Sequence, residues 1–135
     1  MLTILEKADL LQGVEFFSDI RTQSLARVAA IAQEVSFEAQ QRLFSENEAA
    51  DALYVILAGE VTLTRGGIEE CKLTSFQIAG ALALVANQPQ AATAAASRTV
   101  HALRISQQDL FDAMTEDFGI TRGVLRSLAG KAAGR

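Results

Sequence analysis

The sequence predicts a mainly β protein with flanking helices (α+β): a double-stranded β-helix, or jelly-roll barrel, of about eight short strands. Two observations carry this. Helical periodicity occupies both ends of the 135-residue chain, and its middle breaks into short apolar runs separated by polar and glycine-marked turns. The length suits one domain, read as residues 1–135, with helices over about 3–34, a barrel over about 35–105 and C-terminal helices over about 107–132.

The elements follow in order. Ile4, Ala8 and Leu11 share a helix face, and Gly13 marks its end. A second helical stripe joins Leu25, Val28, Ala32 and Val35, with Thr22 as the expected N-cap. From Val35 the pattern becomes strand-like. "ALYVILAG" is apolar on both faces, which suits a strand buried on both sides. "EVTLTR" alternates Val61 and Leu63 with Thr62 and Thr64, and Gly66-Gly67 predicts a tight primed turn into "IEECKL". "RTVHALRIS" reads as a later strand. Ser106, three residues before Asp109, then opens a helix. In the tail Ile120, Val124 and Leu128 share one face. Arg122, Arg126, Lys131 and Arg135 lie elsewhere and suit the negative end of the helix dipole.

Composition excludes several functions. Twelve Lys and Arg against sixteen Asp and Glu give a net charge of −4, which argues against nucleic-acid binding. Cys71 is the only cysteine, so no intramolecular disulfide forms and a reducing compartment is the simplest setting. Glu6, Lys7 and Asp9 interrupt the apolar start, unlike a signal peptide, and no apolar run reaches the ~18–20 residues of a membrane span. The expectation is a cytoplasmic protein. His101 is the only histidine, too few for a zinc site, so no metal is expected. Glu46, Glu48 and Asp51 form an acidic turn without calcium-ligand spacing. No nucleophile–base or paired-carboxylate pattern points to an enzyme.

One stretch stands apart. Residues 78–96, "IAGALALVANQPQAATAAA", contain nine alanines, no charge, and Gly80 and Pro89 as breakers. Together with "VEFFSDIRTQSLARVAAIAQEV", "RLFSENEAADALYVILAGEVTL" and "VHALRIS", it resembles the cyclic nucleotide-binding domain family, which includes regulatory modules of catabolite-activator-type transcription factors, kinase regulatory subunits and gated channels. The likeness covers almost the whole chain, with Phe44, Asp51, Tyr54, Ile56, Gly59 and Val61 in matching places.

By that resemblance, residues 78–96 fall where the family has its phosphate-binding cassette, Phe-Gly-Glu-Leu-Ala-Leu followed by Pro-Arg-Ser/Thr-Ala. The positions carried over are Gly80, Ala81, Leu82, Ala83, Gln90, Ala91 and Ala92. Gly80, Leu82, Ala83, Leu84, Pro89 and Ala92 keep the pattern. Ala79 replaces the phenylalanine, Ala81 the glutamate that accepts the ribose hydroxyl, Gln90 the arginine that pairs with the phosphate, and Ala91 the hydroxyl residue. Gln40 and Asn47 stand where the family has turn glycines, and "TSFQ" at 74–77 replaces its Pro-Gly-Asp/Glu turn.

Hydrogen bonds to charged groups are worth roughly 1.5–3 kcal/mol each, so losing two removes on the order of 3–6 kcal/mol. That is about two to four decades of affinity. The expectation is a non-enzymatic regulatory or interaction module with no cofactor, in which cAMP and cGMP are disfavoured. Its partners would be other domains or proteins, and no DNA-binding domain lies within these residues. Two alternatives stand beside it: a sensor of a cyclic nucleotide or another small ligand, and a homodimeric scaffold through the C-terminal helix.

Overall fold

A computed structural model of the chain describes residues 1–132. These form two compact units: residues 33–107, which carry every strand, and a helical unit of residues 1–32 and 108–132.

The strand unit is a pair of four-stranded antiparallel sheets. One takes the order β1 (Gln33–Phe37), β8 (Val100–Ser106), β3 (Ala52–Ala58), β6 (Ile78–Ala79). The other takes the order β2 (Arg42–Phe44), β7 (Thr93–Ala96), β4 (Val61–Arg65), β5 (Ile68–Leu73). The eight strands with flanking helices match the jelly roll expected from the sequence. The inner faces of both sheets meet in one apolar cluster of Leu43, Ala52, Tyr54, Ile56, Val61, Ala79, Ala94, Ala96, Val100 and Ala102. Five alanines and Tyr54 in that cluster explain the alanine-rich composition, because small side chains let the sheets close around a single large ring. Phe37 meets Tyr54 edge-on at 5.6 Å, and Phe44 stacks on it at 6.3 Å.

Local signals explain the connections. Gly66 and Gly67 both have positive φ, +59° and +80°, as a primed two-residue hairpin demands, and Arg65 pairs with Ile68 across it. Gln40 and Asn47, standing at the family's glycine positions, adopt φ of +78° and +71°. Both thus take the left-handed geometry that favours glycine. Phe76, within the replaced "TSFQ" turn, is left-handed too, at +68°.

The helical unit contains α1 (Ile4–Gln12), a 3₁₀ turn (Glu15–Phe17), α2 (Thr22–Ile31), most of α4 (Gln107–Glu116) and α5 (Phe118–Ala132). Thr3 and Glu6 close a capping box on α1, and Gly13 caps its far end in right-handed geometry. Two sequence expectations need correction. Arg21, not Thr22, is the N-cap of α2, and Thr22 is already its first helical residue. The helix ends at Ile31, and Val35 belongs to β1, so the apolar stripe runs out of the helix into a strand. In α5, Ile120 and Val124 are fully buried and Leu128 is half-buried. Arg122 and Arg126 are exposed, and Arg135 lies outside the described residues. Gly123 sits so close to the 17–20 turn that a Cβ there would meet Ile20 Cγ1 at 2.4 Å.

Candidate functional site

Residues 78–96 fold as β6, a six-residue helix α3 (Ala81–Ala86), a loop and β7. Gly80 forms the junction of β6 and α3 with φ of +85°, a conformation that a side chain resists. Asn87 ends α3 in the left-handed region. Its N–H donates to the Leu84 carbonyl, and the Gln88 N–H donates back to Ala83, a Schellman closure.

The return from α3 is held by the acidic turn. Asn47 N–H donates to the Gln90 carbonyl and Gln90 N–H to the Glu48 carbonyl, both at 2.8 Å, and Ala49 bridges Pro89. The carboxylates of that turn serve the backbone: Glu46 accepts from Gly66 N–H at 3.0 Å and Glu48 from Ser45 N–H at 2.7 Å. Gln90 is thereby drawn inward and is only 4% exposed, one of three buried polar residues in the described chain. Its Nε2 would lie 2.9 Å from a Cβ built on Gly80, and Phe44 Cε2 would lie 3.1 Å away. The Gln90 amide and the Phe44 ring thus close in on Gly80.

Of the seven candidate positions, Gly80 and Gln90 are brought together, and Ala81 and Ala92 are buried, at 5% and 8% exposure. Ala83 is half-buried. Leu82 is 59% exposed, and Ala91 is exposed as well. Two contributors were not predicted as site residues. Phe44 was recognised only as a fold landmark. Gln107 had no signal at all: its Nε2 donates to the Leu84 carbonyl at 3.0 Å and to Asn87 Oδ1 at 3.1 Å, across some twenty residues of sequence.

The other singled-out residues lie apart. His101 shares a hydrogen bond with Ser36 Oγ at its Nδ1, 2.9 Å away, and Cys71 is exposed on β5. Arg98 leans on Glu60 at 3.8 Å. Among the described residues no three His, Cys, Asp or Glu side chains converge on a metal position, and no helix is long and apolar enough to cross a membrane.

The family model for the cyclic nucleotide-binding domain matches residues 34–117, well over half of the chain. This chain belongs to the cyclic nucleotide-binding domain family. Among solved structures, the N-terminal domain of a transcriptional regulator from Streptomyces coelicolor A3(2) is 26% identical with a TM-score of 0.82, over 93% of this chain and 94% of that one. The regulatory domain of Toxoplasma gondii PKA, solved with cAMP, shares the fold at 18% identity and a TM-score of 0.80, over 96% of this chain and 49% of that one. The regulatory subunit of a cAMP-independent protein kinase A from Trypanosoma brucei shares it at 22% identity and a TM-score of 0.75, over 80% of this chain and 41% of that one. That structure is a mutant with three substitutions, one of them threonine to arginine, bound to cAMP in its A site. This cyclic nucleotide-binding domain therefore spans less than half of either kinase regulatory chain.

Proposed function

We infer that this chain is a non-enzymatic regulatory or interaction module of its family, with a cassette that keeps its shape and has lost its grip on cAMP and cGMP. The observation that carries this is the buried amide of Gln90 packed against Gly80, where the family pattern has an arginine for the phosphate. Ala81, equally buried, offers nothing to a ribose hydroxyl. A neutral amide in place of a guanidinium forfeits the charge-assisted contact, and the missing carboxylate forfeits a second. The module would work through other domains or protein partners.

Calorimetry tests it directly. Titration of cAMP and cGMP into the protein is expected to give no binding tighter than the millimolar range. A low-micromolar dissociation constant for either nucleotide would sink the proposal.

A further inference from the structure

We propose that Arg104 is the anion-binding residue of this barrel, and that the guest is an aromatic monoanion seated on the inner wall beside Tyr54 and Phe44. This rests on the reading that the cassette supplies no cation, and it goes further by naming the ligand class.

The register places Arg104. Gln33 pairs with Arg104, Arg104 with Tyr54, and Tyr54 with Ala79, forming one row across β1, β8, β3 and β6. Partners directly opposite on neighbouring strands share a face. Tyr54 and Ala79 both belong to the inner cluster, as do Ile56 and its own partner Ala102. Alternation along β8 then puts Val100, Ala102 and Arg104 inward, and Leu103 and Ile105 on the opposite face. The row ends one residue before Gly80, so Arg104 stands two strand spacings, about 10 Å, from the mouth of the cassette.

Three further facts fit a guest. Among the described residues no carboxylate pairs with Arg104; Arg21, Arg42, Arg122 and Arg126 lack acidic partners too, but they are exposed, and Arg104 is the half-exposed arginine among the described residues. Val35, Phe37, Phe44, Leu63 and Leu73 pack on the cluster and stay partly exposed. Phe37 and Phe44 both contact the ring of Tyr54, at 5.6 and 6.3 Å. A lone cation above apolar and aromatic groups selects a flat apolar body with one negative charge. A cyclic nucleotide would still lack its ribose and phosphate partners at Ala81 and Gln90.

The probe is 8-anilinonaphthalene-1-sulfonate, an aromatic monoanion whose fluorescence reports burial. Saturable one-to-one binding is expected to the full chain, with near-UV circular dichroism showing that it stays folded. Arg104→Gln should weaken binding by about tenfold to a hundredfold. Arg104→Lys should keep most of the affinity, and Arg98→Gln should change nothing. Should Arg104→Gln fail to fold, Arg104→Met keeps the aliphatic stem and takes its place. Absence of saturable binding, or equal affinity after loss of the guanidinium, would overturn the assignment and leave the preceding reading of the cassette intact. Displacement of the probe by micromolar cAMP would overturn that reading while leaving Arg104 as the anion site.

Discussion

Gly80 and Gln90 face each other so closely that one added methyl on Gly80 would meet the Gln90 amide nitrogen at 2.9 Å. The contact joins the junction of β6 and α3 to the return loop after α3. Gly80→Ala should therefore destabilise the protein twice over. It forces a side chain into a left-handed conformation that costs about 1–2 kcal/mol, and it pushes against Gln90 and Phe44. Urea unfolding should show a lower midpoint with an unchanged slope, and an unchanged midpoint would mean that the cassette junction is looser than this geometry.

Restoring the missing groups tests the same site from the other side. Gln90→Arg alone places an unpaired charge where Gln90 is 4% exposed, so stability should fall, by roughly 3 kcal/mol or more. Combined with Ala81→Glu, it should raise cAMP affinity by about two to four decades. Thermal melts with and without cAMP would read both effects, and an undiminished melting temperature for Gln90→Arg would refute the first.

The amide of Gln107 ties the C-terminal end of α3 to the end of the strand unit through Leu84 and Asn87. Gln107→Ala removes two neutral hydrogen bonds, worth about 1–2 kcal/mol together. Faster hydrogen exchange at residues 84–88, with little change in β3 or β8, is the expected signature. Uniform acceleration across the barrel would mean that the bond supports the whole fold instead.

Gln40 occupies a left-handed position at φ +78° without the freedom of glycine. Gln40→Gly relieves that strain and should raise stability by about 1 kcal/mol, measured as a shift in the urea midpoint. A loss of stability would show that the Gln40 side chain contributes more than its backbone strain removes.

Asp117 has its carboxyl held below the usual range, first by a hydrogen bond from Ser24 and then by the Gly119 N–H and nearby Arg27. Its folded pKa is lower than its unfolded one. The stability it contributes is thus complete above the unfolded value, about 3.9, and is lost as pH falls through the folded value. Asp117→Asn should flatten the fall in melting temperature below about pH 4. An acid limb as steep as that of the unaltered protein would assign the loss to other carboxylates.

Much of this was legible in the sequence because it is written locally. The Gly66-Gly67 turn, the doubly apolar β3 and the Gly13 end of α1 each follow from a few neighbouring residues, and the tertiary structure agrees with them. The glycine-position substitutions Gln40 and Asn47 were legible too, since only the backbone decides them. Thr22 misled because Arg21 takes the cap without lending a side chain, and Val35 misled because an apolar stripe continues across the boundary between helix and strand. Phe44, Gln107 and the Arg104 row had no such local trace.

The order of elements, the charge-free stretch over 78–96 and the net charge of −4 were determined by the sequence alone, because each depends on residue type and spacing. Only the tertiary structure decided that Gln90 turns inward onto Gly80, that Gln107 holds α3, and that Arg104 shares a face with Tyr54. Those relations join residues ten to fifty positions apart, and strand register and side-chain packing, not local pattern, bring them together.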